Sequence, residues 1–197
     1  MPIRFVLILL LALPGIVLAD AGSGEFMGYQ LGAKYQRSPA TREKATTTGN
    51  LIITAERPVK PEDVAEVTLL VTPATLTIGS ITASQWFATE DEARNFGRHY
   101  FELILAKYPA WPYGWEVTDS QLNVVEVSFR DGSYNLQLRL AKDSRDGKAM
   151  WRFSMTLGWL PDSAPERAWR ESSATEQVSE LKGLRRQLLE KSDVRGL

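Results

Sequence analysis

Cysteine is absent from all 197 residues, and histidine occurs once, at position 99. A structural zinc site of thiolates and imidazoles is therefore excluded, as is any disulfide framework. Charge of one sign is equally scarce. The formal net charge is −1 and the pI about 6.0, so there is no polybasic footprint for nucleic acid or anionic lipid. Beyond the first eighteen residues no segment is long or apolar enough to cross a bilayer. Stability must come from an apolar core.

What is present begins with a tripartite leader. Met1–Arg4 carries one positive side chain, "FVLILLLALPGIVL" runs from Phe5 to Leu18, and Val17 and Ala19 occupy the small-residue recognition positions before Asp20. That is the layout of a secretory signal peptide. As a membrane anchor the run is shorter than the ~20 residues a spanning helix needs, and Pro14-Gly15 interrupts it. Residues 1–19 are thus read as a signal peptide, with the mature chain beginning at Asp20 and located in the periplasm or secreted. Without cysteine there is no lipobox, so an acylated lipoprotein is excluded. The remaining roughly 180 residues suffice for one core.

Residues 20–50 read as an exposed N-terminal segment with a short strand around Phe26, Met27, Tyr29 and Leu31. Gly22, Gly24 and Gly28 miss the dinucleotide fingerprint by one residue, and no strand precedes them. Residues 51–172 read as an α+β core. "NLIITAE" and "EVTLLVT" are strands, the second turning Val67, Leu69 and Val71 inward. In "TLTIGSIT" the alternation slips across Gly79-Ser80, where a bulge belongs. Thr89 with Glu92 forms a capping box, and Ala93, Phe96, Tyr100, Leu103, Ile104 and Lys107 follow at helical spacing until Pro109. Asp131-Gly132 then predicts a hairpin pairing Phe129 with Tyr134, Val127 with Leu136, and Val125 with Leu138. A one-residue slip would expose Tyr134, Leu136, Leu138 and Leu140, at a cost of at most roughly 6–12 kcal/mol. "KDSRDGK" turns the chain again, and Trp151, Phe153, Met155 and Leu157 point inward from the next strand. The expectation is a single α+β domain: an antiparallel meander and additional strands packed on one central helix. An amphipathic helix over 173–197 closes the chain, capped by Ser173 and Glu176 and striped by Ala174, Val178, Leu181, Leu184 and Leu188.

No catalytic set assembles from these residues. His99 lies on a helix shoulder near Asn95 and Glu102. Asp143 and Asp146 in "DSRDGK" sit in a turn and miss the regular calcium-loop ladder. Ser179 and Lys182 match S-x-x-K, but the K-T-G and S-D-N partners of penicillin-recognising enzymes do not occur. Glu116, Asp119 and Glu126 supply carboxylates with no spacing that selects a pair for glycoside hydrolysis. No metal or cofactor is expected.

Two features point outward. "KYPAWPYGWEV" gathers Tyr108, Trp111, Tyr113 and Trp115. They form either a stacking platform or the plug that joins a helix end to the sheet. The stripe Val178, Leu181, Leu184 and Leu188 fits either the protein's own sheet or a partner. The sequence is read as that of an exported soluble periplasmic protein acting by non-covalent binding, as an inhibitor, immunity factor or envelope accessory protein. Its expected partner is an envelope protein. The alternatives are a cell-wall glycan-binding domain using the aromatic loop and an envelope hydrolase. Neither nucleic acid nor, after cleavage, a membrane is an expected partner. Terminal sequencing of the protein from an envelope fraction should begin at Asp20; a cytosolic chain that keeps Met1 would remove the export reading.

Overall fold

The computed structural model describes residues 24–38, 41–55, 63–119 and 124–193. The leader, residues 1–19, lies outside them. A short hairpin, β1 (Glu25–Phe26) and β2 (Tyr29–Gln30), precedes four strands: β3 (Arg42–Ala45), β4 (Leu51–Thr54), β5 (Glu66–Val71) and β6 (Ile78–Phe87). Helix α1 (Glu90–Lys107) leads to β7 (Tyr113–Asp119), β8 (Val124–Asp131), β9 (Tyr134–Arg145) and β10 (Lys148–Trp159), and helix α2 (Ala164–Asp193) ends the described chain. The long strands form one antiparallel sheet in the order β3-β4-β5-β6-β10-β9-β8-β7. It consists of two four-stranded meanders joined where β6 pairs with β10, from Phe87↔Trp151 to Ser80↔Gly158.

Period-two alternation gives this sheet two unlike faces. Val67, Leu69, Ile81, Ala83, Val127, Phe129, Leu136, Leu138, Phe153, Met155 and Leu157 are buried on one. On the other, Thr54, Thr68, Thr82 and Thr156 stand in register across four adjacent strands, with Gln137 and Ser128 continuing the row. The Thr82 and Thr156 hydroxyls lie 3.0 Å apart.

Helix α1 covers the apolar face over β10, β9 and β6. Its start is the expected capping box, with Thr89 accepting from the Glu92 amide and Glu92 returning a bond to the Thr89 amide. Ala93, Tyr100 and Ile104 are buried, and Phe96 packs between Phe87, Tyr100 and Phe153. Gly97 suits the close approach, since a Cβ there would sit 3.0 Å from the Phe153 ring. The buried Tyr100 hydroxyl donates to the Asp63 carboxylate at 2.8 Å. Burial and this carboxylate both push the phenol well above its ordinary value.

Three expectations are corrected. The segment 20–50 holds more than one short strand: Phe26, Met27 and Leu31 anchor the expected one in the core, and Arg42–Ala45, read as an exposed connection, pairs with β4 as β3. The β1–β2 hairpin lies against the Tyr134–Trp159 end of the apolar face. Gly24 abuts the Tyr134 ring, and Gly32 donates to the Ile78 carbonyl at 2.8 Å. The β8–β9 register differs by two residues from the expected one, with Phe129 opposite Leu136, Val127 opposite Leu138, and Val125 opposite Leu140. Alternation specifies only the parity of a pairing, and a two-residue shift preserves it. The turn lies on Gly132-Ser133, with Gly132 at φ 53° in the first central position that a II′ turn reserves for glycine. In the β9–β10 hairpin, by contrast, Asp146 and Gly147 themselves form the turn, both at positive φ.

The third correction concerns α2, which starts at Ala164 and not at Ser173. Its first turn is held by Ser163, whose carbonyl accepts from the Arg167 amide at 3.0 Å and whose hydroxyl faces the Glu166 amide at 3.4 Å. Ser163-x-x-Glu166 is therefore the working start signal, and Pro165 is compatible with a first helical turn.

The expected bulge is present, with Leu70 opposite Ser80 but Val71 opposite Ile78, leaving Gly79 unpaired. The Trp169 indole of α2 lies directly on it: a Cβ at residue 79 would fall 2.2 Å from that ring. Gly79→Ala should therefore destabilise the protein by about 1–3 kcal/mol, the range for overpacking. In a Trp169→Ala background the same methyl should cost far less. Equal losses of melting temperature in both backgrounds would dissociate Gly79 from α2 docking.

Candidate functional site

The aromatic loop is divided by the end of α1. Tyr108 and Trp111 are buried and stacked on each other, with ring centroids 4.5 Å apart and planes 26° apart. The Tyr108 amide closes the helix on the Ile104 carbonyl, and the Trp111 amide turns back to the Tyr108 carbonyl. These two rings plug the core at the helix terminus. Tyr113 is 49% exposed, with its ring edge-on to Phe101 and tilted against Phe129. Trp115 takes its place on β7 opposite Val127, and its side chain lies outside the described residues. Of the four candidate binding rings, Tyr108 and Trp111 are thus buried, as the plug reading has it, and Tyr113 is open to solvent.

Helix α2 has a docked half and a free half. Four side chains at helical spacing, Trp169, Ser173, Glu176 and Gln177, make the dock. The Trp169 indole donates to the Thr77 carbonyl at 3.1 Å. The buried Ser173 donates to the Asn50 side-chain oxygen at 2.5 Å, and the Gln177 amide reaches that oxygen at 3.2 Å and the Ser173 hydroxyl at 2.9 Å. Glu176 accepts from the Ala74 amide at 2.9 Å, the Thr75 amide at 3.0 Å and the Thr75 hydroxyl at 2.6 Å. Ser173 and Glu176, expected as a helix cap, are instead mid-helix anchors on the β3–β4 and β5–β6 turns.

This dock is polar for a physical reason. Turns present backbone N–H groups that the sheet ladder leaves without partners, and a carboxylate satisfies two of them together with a hydroxyl. The apolar stripe lies further along the helix. Val178, Leu181 and Leu184 are 51%, 66% and 53% exposed, and every described side chain from 178 to 187 is exposed. The Leu188 side chain lies outside the described residues. At 1.5 Å per residue, the stretch 178–193 extends roughly 24 Å beyond the dock.

The other candidates take ordinary places. His99 is exposed, edge-on to Tyr100. Asp143 pairs with Arg152 at 3.2 Å, and Asp146 belongs to the hairpin turn. Ser179 and Lys182 are exposed on the free half of α2. Glu126 accepts from Gln137 at 2.9 Å and lies opposite Glu116 in the strand register. The side chains of Glu116 and Asp119 are outside the described residues. Among the described residues no three potential metal ligands converge, and no helix is long and apolar enough to cross a membrane. The chain matches no protein-family model, no curated protein and no solved structure.

The Glu176 anchor carries a pH signature. Burial alone would raise its carboxyl group. The donors Thr75 hydroxyl, Thr75 amide, Ala74 amide and Thr72 hydroxyl outweigh that effect and hold it below its ordinary value of 4.5. A carboxyl depressed in the folded state stabilises fully above its unfolded pKa, and that contribution disappears as pH falls through the folded value. The melting-temperature gap between wild type and Glu176→Gln should be full near pH 6 and close progressively below about pH 4.5. A gap independent of pH would mean that the ionised carboxylate does not anchor α2.

Proposed function

We propose that this is an exported envelope binding protein that acts non-covalently by offering the free half of α2 to the apolar seam of a partner protein. The observation that carries the reading is the exposure of Val178, Leu181 and Leu184 on the stretch of α2 that continues past the side chains bonded to the body. Three large apolar side chains on successive turns match the way a helix fills a groove, with anchors at three- and four-residue intervals. A helical stretch without tertiary packing draws little stability from propensity alone, and Gly183 weakens this one further. The docked half supplies the nucleus from which the free half propagates. A partner that covers the stripe stabilises the helix and removes its apolar surface from water at once.

Export rests on the Met1–Ala19 pattern, and the partner class follows from it: an enzyme to be inhibited, a toxin to be neutralised or a complex to be completed in the envelope. Charged residues are interspersed with the stripe, one acidic (Glu180) and three basic (Lys182, Arg185 and Arg186), so its complement is an apolar seam with a largely acidic rim. The glycan reading is weaker, because two of its four proposed rings are in the core.

Leu181→Asp with Leu184→Asp tests the proposal. Both positions are exposed, so the melting temperature should stay within the ~0.5 kcal/mol equivalent typical of surface changes. In envelope cross-linking from the native host, the wild-type chain should capture a defined protein that the double variant loses. Identical capture by both proteins would overturn the reading, and concentration-dependent self-association lost in the variant would identify the partner as a second copy.

A further inference from the structure

Beside α1, away from the α2 surface, an apolar cleft of about 220 Å³ opens between the helix and the β8–β9–β10 part of the sheet. Its floor includes Val127, Leu138 and Leu140, and Arg94 and Arg98 line its rim. The cleft exists because α1 carries only Ala93 and Gly97 on two successive turns above this floor. Gly97 lets the helix settle onto Phe153 of β10, and the space toward β8 is left unfilled by the described side chains.

The two arginines are not equivalent. Arg94 is engaged by Glu90 one turn earlier, at 2.5–2.6 Å. Arg98 makes no hydrogen bond or ion pair among the described residues. An apolar slot with one uncommitted guanidinium at its mouth has the chemistry of a site for a chain with an anionic head. Its size limits the chain. If each group takes the ~30 Å³ share of a water molecule, the cleft holds about seven or eight carbon atoms.

We propose that this cleft binds a single-chain carboxylate amphiphile of medium length, with the chain on Val127, Leu138 and Leu140 and the carboxylate on Arg98. The site is independent of the proposed α2 function and stands or falls separately. NMR titration of the mature full chain with hexanoate, octanoate, decanoate and 1-octanol tests it. Affinity should rise about fourfold per methylene up to roughly eight carbons and then level off. Octanoate should bind about tenfold more tightly than octanol, and Arg98→Ala should abolish that preference while leaving octanol binding unchanged. Val127→Phe, which fills the floor, should abolish binding of both ligands. Shifts scattered outside the cleft, no dependence on chain length, or octanoate binding unchanged in folded Arg98→Ala would overturn the proposal. Since Arg98 is exposed, its variant folds even if the Val127 variant does not.

Discussion

The pairing of β6 with β10 holds the molecule together. These strands lie more than sixty residues apart in the chain and meet at the centre of the sheet, joining two meanders that each consist of local hairpins. On the covered face the pairing sets Ile81 beside Leu157 and Ala83 beside Met155, creating the continuous apolar surface on which α1 lies. On the other face it sets Thr82 beside Thr156. Each meander could form its turns alone. Neither would present a surface wide enough for an eighteen-residue helix to bury Tyr100 and Ile104. The connection between the two halves is α1 with its aromatic loop, so the element that joins the meanders also covers the face their pairing creates. This long-range closure is the slow kind of contact to make.

Helix α2 depends on that sheet differently. It joins turns, not the core: Trp169 occupies the open space above the Gly79 bulge, and Ser173, Glu176 and Gln177 reach Asn50 and the Thr72–Thr77 turn. A bulge is where a strand departs from regular pleating, and glycine there lets a neighbour come close. The interface is small and polar, so its strength lies in hydrogen bonds to a carboxylate and to an indole N–H rather than in buried area. The first half of the helix thus serves the fold and leaves the second half, with its apolar residues, free for the binding role proposed above. The carboxylate of the dock adds a dependence on pH that an apolar dock would not have.

How much was legible in the residues varied with the range of the interactions. The α1 capping box, its buried stripe and the Gly79 bulge were readable because each depends on neighbours within a few positions. The β8–β9 hairpin was readable in its faces but not in its register, since every inward residue is apolar and a two-residue shift costs nothing in the pattern. The two Asp-Gly pairs show the limit well: Asp146-Gly147 forms its turn, whereas Asp131 remains in the strand and Gly132-Ser133 turns. The start of α2 was obscured by Pro165, which reads as a breaker unless it is recognised as part of a first turn. Of the candidate site, the helical spacing of Val178, Leu181 and Leu184 was visible, but not that these side chains stay exposed. The polar dock was not, because Ser173 and Glu176 are equally at home as a helix cap.

Local chemistry therefore settled most of the strands, though not β3 and β7, which lie in segments read as a connection and a loop, as well as the first helix, the alternation of faces, the exclusion of thiol and zinc chemistry, and the spacing of apolar residues near the C-terminus. These follow from side-chain period and residue type, which a linear chain already contains. Tertiary contacts decided that Tyr108 and Trp111 plug the core, that Phe26 and Met27 enter it, and that Val178, Leu181 and Leu184 stay outside. An apolar side chain is driven out of water with no preference for direction. Which surface receives it depends on what else has come within reach, and here that was decided by partners as distant as Thr77 from Trp169 and Asn50 from Ser173.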